Sequence, residues 1–331
     1  MAATGQGAAA SPRKKIGLAL AGGGPEGAIY EIGALRALDE ALEGFDFNHA
    51  DVYVGVSAGA FVGACLVNGL DTAQLCRAIV SREPGEHPFV PETFLTPSVS
   101  EWVRRGLMLP GLVTGALADY LRFPWKGSLP ASFLRLSRAL PVGLFDNEPI
   151  RAYLENIWTR PGRSDDFREL GSKLIVVAAD LDSGKAIRFG TPGADHVPVS
   201  RAVQASTALP GLYPPVEIDG RCYVDGVLLK TLHASVALEE GVDFLLCINP
   251  LVPVDTVRAV EEGVMERGHL IDRGLPTVLS QTFRTLIHSR LVTGMAAYEK
   301  NYPGRDLVLF EPRRDDYRMF FTNIFSFDDR V

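Results

Sequence analysis

The stretch at residues 52–61 constrains the fold more than any other part of the chain. A short run of β-forming residues ends in Gly-Val-Ser-Ala-Gly at residues 55–59, and small apolar residues follow at once. Gly-x-Ser-x-Gly between a strand and a helix is the pattern of a nucleophile elbow, a sharp turn that presents the serine hydroxyl at the end of the strand. The two glycines let the backbone take strained angles without a Cβ clash. The pattern predicts that Ser57 is a nucleophile, but a pattern this short also occurs by chance and needs partners elsewhere.

A glycine-rich loop stands one strand and one helix before the elbow. Residues 15–21 form an apolar strand, and Gly22, Gly23 and Gly24 follow it directly. Apolar residues then recur at three- and four-residue steps between positions 29 and 42, which predicts an amphipathic helix. Pro25 suits the first turn of that helix, because an N–H group there would be unsatisfied anyway. Glycines before a helix let successive backbone N–H groups point at one spot, where an anion can bind.

Two kinds of anion fit this loop, and they belong to different functions. The first is a dinucleotide pyrophosphate, which uses the fingerprint Gly-x-Gly-x-x-Gly and an acid at the end of the second strand. Here that strand ends in Ser57, and its only acid, Asp51, stands at its start. The second is the oxyanion of a tetrahedral acyl intermediate. If the first two strands are parallel neighbours, the amides of residues 22–24 face Ser57 and the Ala58 N–H adds a further donor. The sequence favours the oxyanion and leaves the nucleotide as the alternative.

A serine hydroxyl also needs a neighbouring base. Asp225 follows a predicted strand, precedes a glycine and stands among apolar residues. Burial raises the pKa of a carboxyl group above its reference of about 3.9 and makes the carboxylate a stronger base, so a Ser-Asp dyad is chemically sufficient. Two alternatives stay open. One is a triad that includes a histidine, for which His233 is the best placed, and the other is an aspartate that only satisfies the backbone of its own turn.

The remaining pattern predicts a single domain over residues 15–331 after a flexible tail at residues 1–14. Apolar runs and turn residues predict strands at 173–180 and 243–249, hairpins at 173–189 and 216–224, and helices at 200–208 and 277–298. Residues from about 82 to 149 resemble a helical insert that is rich in proline, aromatic and basic residues. Such an insert suits a lid over an acyl-chain pocket or, through residues 88–140, a surface that touches a membrane. An ordinary helical cap packed on its own core is the alternative.

Composition excludes several classes of protein. A net charge of −7 without a concentrated basic face argues against a nucleic-acid partner. The four cysteines show no Cys-x-x-Cys spacing, which predicts reduced core residues rather than a disulfide frame or a metal site. The longest apolar patch, at residues 106–118, is shorter than the roughly 20 residues that span a bilayer. We therefore expect a cytoplasmic protein that is soluble or peripheral to a membrane.

Taken together, these motifs resemble the patatin-like phospholipase family. The resemblance rests on the glycine loop at residues 22–27, the elbow at 55–59, the segments at 144–149 and 205–215, and Asp225 followed by Gly226, all in the family's order. It implies a three-layer α/β/α fold with a mainly parallel central sheet. It also implies a lipid acyl hydrolase of the phospholipase A, lysophospholipase or carboxylesterase type, with Ser57 as nucleophile and Asp225 as base. The glycine loop would form the oxyanion hole, and no metal or organic cofactor is implied.

Two positions depart from the family pattern. The loop usually has arginine or lysine where this chain has Glu26, and glycine or alanine is usual where it has Val227. Glu26 suits a helix N-terminus, but it replaces a positive charge at the site with a negative one. This weakens the inference to an anionic headgroup more than the inference to ester hydrolysis. A catalytically silent member of the family that binds lipid or a protein partner is the alternative function.

Overall fold

The computed structural model describes residues 13–81, 95–122, 137–263, 269–317 and 320, without the side chains of residues 116–122. Most of the predicted tail, at residues 1–12, lies outside the described residues. The same is true of residues 82–94 and 123–136 in the predicted insert.

A sheet of eight strands forms the centre of the fold. The strands are β1 Ile16–Leu20, β2 Val52–Val56, β3 Lys173–Asp180, β4 Ala186–Phe189, β5 Val216–Ile218, β6 Arg221–Asp225, β7 Phe244–Ile248 and β8 Asp306–Phe310. Their order is β5-β6-β3-β2-β1-β7-β8, and β4 pairs with β3. Strands β1, β2, β3, β7 and β8 pair in parallel, whereas β3–β4, β3–β6 and β5–β6 are antiparallel. The parallel pairing of β1 with β2 and the two hairpins confirm the sequence predictions.

Helices connect these strands and cover both faces of the sheet. They are α1 Gly24–Ala41, α2 Ala58–Val67, α3 Thr72–Leu75, α4 Val99–Arg122, α5 Glu148–Trp158, α6 Val199–Ser206, α7 Ala234–Glu239, α8 Thr256–Glu261 and α9 Leu275–Asn301. A π-helical turn, Cys76–Ser81, continues α3, and short 3-10 turns include Gly226–Leu228 directly after β6. Pro25 occupies the first turn of α1, as the sequence predicts.

The strands send alternate side chains into two separate cores, because successive residues of a strand point to opposite faces. On one face, Leu18, Tyr53 and Val176 pack with side chains from α1, α2, α5 and α6. On the other face, Ala19 and Val54 belong to a cluster completed by α7 and by the inner side of α9. Helices therefore lie above and below one mainly parallel sheet. The three-layer α/β/α fold predicted from the sequence is confirmed.

The described part of the predicted insert contains one long helix. Helix α4 runs for 24 residues and includes Pro110, which lies inside the helix rather than at its end. The buried carboxylate of Glu101 accepts hydrogen bonds from the side chains of Arg104 and Arg105 in the same helix and from the N–H of Val142 outside it. The apolar side chains of α4 are largely outside any core, and Leu107 is 77% exposed. In the described part of the chain, no helix is long and apolar enough to span a membrane.

Candidate active site

Ser57 lies on a strained turn between β2 and α2. Its φ of 54° and ψ of −121° fall in a region that residues with a side chain rarely adopt. The flanking glycines are required by packing, because a Cβ at Gly55 would lie 2.5 Å from the Cα of Ala60, and one at Gly59 would lie 2.4 Å from the backbone of Leu20. The turn therefore has the conformation and the neighbours that a nucleophile elbow needs.

The register of β3 brings Asp225 to the elbow. Val56, the last residue of β2, is opposite Val177, and Asp225, the last residue of β6, is opposite Ala178. The ends of β2 and β6 therefore meet on consecutive residues of one strand. Gly226 lies in the tightest part of this junction, since a Cβ there would be 2.5 Å from the carbonyl oxygen of Val177.

Asp225 is a buried carboxyl group that the turn after β6 holds in place. It is 2% exposed, its Oδ1 accepts the N–H of Val227 at 2.9 Å, and the side chain of Ser57 lies close enough to lower its pKa. Burial raises the pKa of Asp225 from 3.8 to about 7, and the hydrogen bonds from Ser57 and Val227 offset part of that rise. A carboxyl group with this pKa is poised to accept a proton near neutral pH.

The glycine loop packs directly against Ser57 and Val227. A Cβ at Gly22 would lie 2.9 Å from Cγ2 of Val227 and 3.2 Å from Cβ of Ser57, so only glycine fits there without displacement. The N–H of Gly22, however, donates to the carbonyl oxygen of Thr231 at 3.2 Å. This differs from the expectation that the Gly22 amide is free to bind an oxyanion, because the loop after β6 has already engaged it.

The remaining predicted donors lie at two helix N-termini. Gly23 is the N-cap residue of α1 and Gly24 its first residue, whereas Ala58 is the first residue of α2. The first N–H groups of a helix have no partner within the helix, and the helix dipole adds positive potential there. Ser57 lies next to both termini. The arrangement can therefore bind a developing negative charge beside the Ser57 hydroxyl.

The architecture and these motifs match a known family. The family model described as Patatin-like phospholipase matches residues 18–238, a segment that contains Ser57, Asp225 and the glycine loop. The chain belongs to this family. Curated relatives include an uncharacterized NTE family protein of Mycobacterium tuberculosis, 26% identical over 242 residues that make up 71% of this chain and 30% of the relative. Another, from Mycobacterium bovis, is 30% identical over 83 residues, or 25% of this chain and 22% of the relative. The chain thus spans less than a third of the length of these relatives.

Two solved structures are similar to the chain at low sequence identity. VipD from Legionella pneumophila has a TM-score of 0.37 and 16% identity, and the match covers 77% of this chain and 53% of VipD. The type III effector ExoU, which comes from Pseudomonas aeruginosa, has a TM-score of 0.35 and 15% identity, with 83% of this chain and 52% of ExoU covered.

Ser206 completes the elbow of this patatin-like chain in a way that sequence reasoning missed. Its fully buried hydroxyl accepts the N–H of Ser57 at 2.8 Å and donates to the carbonyl oxygen of Val177 at 2.6 Å. It thereby ties the strained turn to β3. The sequence contains Ser206 in the familial segment at 205–215, but nothing in that segment indicates which of its side chains reaches the elbow.

His233 does not complete a triad with Ser57. Its Nε2 lies 3.4 Å from the carbonyl oxygen of Gly226, and among the described residues no hydrogen bond joins it to Ser57 or to Asp225. Burial lowers the pKa of His233 to about 4, so the ring is neutral at physiological pH. The ring instead lies against the turn after β6.

Asp51 is the only acid on the predicted second strand that could bind a ribose in the nucleotide alternative. It lies at the start of that strand, at the end of the sheet opposite to the one where the glycine loop begins. Its Oδ2 accepts the N–H of Ile16 at 2.7 Å, at the start of β1. The glycine loop follows the end of β1, so the length of that strand separates the acid from the loop. A ribose bound beside the loop would therefore be out of reach of Asp51.

The two departures from the family pattern have clear structural settings. Val227 is 7% exposed, its N–H donates to Asp225, and its side chain fills the space against Gly22. Glu26 lies in the first turn of α1 and forms an ion pair with Arg284 of α9, with 3.3 Å between Oε2 and Nη2. Burial raises the pKa of Glu26, and the guanidinium of Arg284 opposes that rise. The glutamate at this position is thus paired with an arginine from a distant part of the chain.

Proposed function

We propose that the chain is a serine acyl hydrolase that cleaves the carboxylic ester bonds of lipids through a Ser57–Asp225 dyad. The observation that carries the proposal is the register of β3, which brings the buried Asp225, whose pKa burial raises to about 7, to the strained turn of Ser57. Membership of the patatin-like phospholipase family supports a lipid ester as substrate. The two departures do not disable such a site, because the Val227 N–H holds Asp225 and Arg284 neutralises Glu26.

The proposed reaction has two halves that use the same groups. Asp225 takes the hydroxyl proton of Ser57 as Oγ attacks the ester carbonyl carbon, and the N–H groups of Gly23, Gly24 and Ala58 bind the resulting oxyanion. The intermediate then expels the alcohol, which receives the proton from Asp225 and leaves an acyl ester on Ser57. A water molecule gives its proton to Asp225, attacks the acyl-enzyme and releases the fatty acid, and the proton returns to Ser57.

A hydrolysis screen tests the proposal. The purified protein is incubated with p-nitrophenyl acyl esters of several chain lengths, with lysophospholipid and with phospholipid vesicles, and the released acid is quantified. We expect release from at least one carboxylic ester, together with stoichiometric labelling of Ser57 by a fluorophosphonate. Absence of both activity and labelling would instead favour a silent protein that binds lipid or a partner, and thermal stabilisation by a dinucleotide would favour the nucleotide alternative.

The rate of ester hydrolysis should follow the ionisation of Asp225. Only the carboxylate form accepts a proton, and burial raises its pKa to about 7. We expect kcat/KM to fall about tenfold per pH unit below that value and to level off above it. The contribution of Asp225 to the free energy of unfolding changes with pH in the opposite direction. The folded state keeps the proton from about pH 4 to 7 while the unfolded state loses it, so this contribution falls as pH rises through that window. A pH–rate profile without an inflection between about 6 and 8 would contradict Asp225 as the base.

We also propose that the insert contacts a lipid surface. Helix α4 exposes a set of apolar side chains, and these are Val99, Trp102, Val103, Leu107, Met108, Leu109 and Val113. Burying one such leucine in an apolar phase contributes about 1.5–3 kcal/mol. Leu107→Glu should therefore weaken co-sedimentation with phosphatidylcholine vesicles by at least about tenfold. Hydrolysis of a water-soluble ester should be unchanged.

A matched control for this experiment lies outside the insert. Val257 of α8 is also strongly exposed, at 69%, and Val257→Glu adds the same charge to the surface. We expect it to leave vesicle binding at the wild-type level. If Leu107→Glu and Val257→Glu bind vesicles equally well, α4 does not provide the contact.

A further inference from the structure

Helix α9 holds the glycine loop through a largely buried ion pair. Arg284 is 7% exposed at its side chain, and its Nη2 lies 3.3 Å from Oε2 of Glu26, two residues beyond Gly24. The guanidinium also packs over the ring of Phe320, with 5.1 Å from Cζ to the ring centroid. The arginine is thus fixed from two sides while it binds the first turn of α1. Arg284 thus joins α9 to the helix terminus that contributes two of the proposed oxyanion donors.

The same helix contacts the other half of the site. Nη1 of Arg290 donates a hydrogen bond at 3.0 Å to the carbonyl oxygen of Leu228. Leu228 ends the 3-10 turn that Asp225 caps by accepting the N–H of Val227. Arg284 and Arg290 are six residues apart, or about 9 Å along the helix axis. One rigid helix therefore reaches both the segment beside the nucleophile and the segment that carries the base.

We propose that α9 is a positioning element of the active site, in which Arg284 fixes the glycine loop through Glu26 and Arg290 fixes the Asp225 turn through Leu228. The inference rests on the proposed hydrolase function. It concerns a helix that lies beyond residues 18–238, the segment matched by the family model. It also explains the acid at position 26, because the positive charge near the loop is supplied from α9.

The expected kinetic signature follows from the place of these contacts. Neither arginine bonds to Ser57 or Asp225 among the described residues, so neither is placed to take part in the chemistry directly. In this proposal Arg284 sets the distance between the N–H donors and the oxyanion, and Arg290 sets the position of Asp225 relative to Ser57; both interactions are strongest in the transition state. Loss of such an interaction lowers kcat and leaves KM nearly unchanged.

The test measures kcat and KM for a water-soluble acyl ester in the wild type, Arg284→Gln, Glu26→Gln and the double variant. We expect each single variant to lose about tenfold or more in kcat, because small displacements of catalytic groups have large effects. The double variant should be no slower than the slower single variant, because both substitutions remove the same interaction. Arg284→Lys, which keeps the positive charge, should recover part of the rate.

Lys300→Gln is the matched control, because it removes a positive charge from the exposed end of the same helix. It lies about 24 Å along the axis from Arg284 and should leave kcat unchanged. Arg290→Gln should lower kcat independently, so that its effect multiplies with that of Arg284→Gln.

Several results would overturn the inference. They are an unchanged kcat in Arg284→Gln, effects of Glu26→Gln and Arg284→Gln that multiply, or a loss of similar size in Lys300→Gln. If Arg284→Gln does not fold, Glu26→Gln decides, since its side chain is one-third exposed and carries the same predicted loss. A wild type that neither hydrolyses esters nor reacts with a fluorophosphonate refutes the proposed function. An active wild type with an equally active Glu26→Gln refutes only the role of α9.

Discussion

Ser57→Ala is expected to abolish ester hydrolysis, with a loss in kcat of at least about 10⁴-fold. The hydroxyl is the atom that attacks the carbonyl carbon in the proposed reaction, and no neighbouring side chain stands on the same strained turn to replace it. Fluorophosphonate labelling, followed by gel fluorescence and peptide mass mapping, should be complete in the wild type and absent in the variant. The measurement reports on the nucleophile itself, independently of which lipid is the natural substrate.

The fold of the Ser57→Ala variant should be preserved, so that lost activity can be assigned to chemistry. The N–H of residue 57 still donates to Ser206, and the hydrogen bond between Ser206 and Val177 does not involve the Ser57 side chain. Its thermal unfolding should therefore stay close to that of the wild type. Full hydrolytic activity in this variant would exclude Ser57 as the nucleophile.

The parts of the site that sequence reasoning found are those encoded by local patterns. The elbow at residues 55–59 and the glycine loop before α1 each combine a strand end, a close backbone approach and a helix start within a few residues. Such features leave a signature in the residue types themselves, because only glycine fits at Gly55 and Gly59. The hairpins and the parallel pairing of β1 with β2 were predictable for the same reason, since turn residues and crossover rules limit the alternatives.

The contacts that complete the site depend on register and on distant segments, and no local pattern reports them. Asp225 follows a predicted strand, but its contact with Ser57 requires that β2 and β6 end on consecutive residues of β3. Ser206 reaches the elbow from 149 residues away. The Gly22 amide is engaged by Thr231, and this contact removes one of the predicted oxyanion donors. Each of these depends on which elements pack together, and one sequence contains that information only implicitly.

The electrostatic effect of Glu26 could not be predicted from the sequence for the same reason. From the sequence, an acid in the loop adds negative potential to a site that binds an anion. In the fold, Arg284 lies 258 residues further along the chain and pairs with it, so the local charge is balanced. Substrate preference inferred from loop residues alone would therefore be biased against anionic substrates. The charge that bears on substrate preference is therefore that of the Glu26–Arg284 ion pair, not that of Glu26 alone.

Asp225→Asn is expected to lower kcat by about 10²–10⁴-fold, the usual contribution of a general base. Asparagine has nearly the same shape and can still accept the N–H of Val227 through its side-chain oxygen, but it cannot take the proton of Ser57. The residual rate should also lose the inflection near pH 7 that the wild type shows, because the titrating group is gone. Rates measured from pH 5 to 9 on one soluble ester test both expectations.

Two further observations separate this base from its alternatives. His233→Ala should keep a kcat within about tenfold of the wild type, because in the described part of the chain the neutral ring has a hydrogen-bonding contact with the carbonyl oxygen of Gly226 and none with Ser57 or Asp225. The reverse result, a large loss with His233→Ala and a small one with Asp225→Asn, would establish a triad in place of the dyad.

The second observation is the thermal stability of Asp225→Asn. Ionised Asp225 is buried at a cost in free energy, so Asp225→Asn should melt at the same or a higher temperature than the wild type at pH 8. A lower rate combined with an unchanged or higher melting temperature would mean that the charge of Asp225 serves catalysis at the expense of stability.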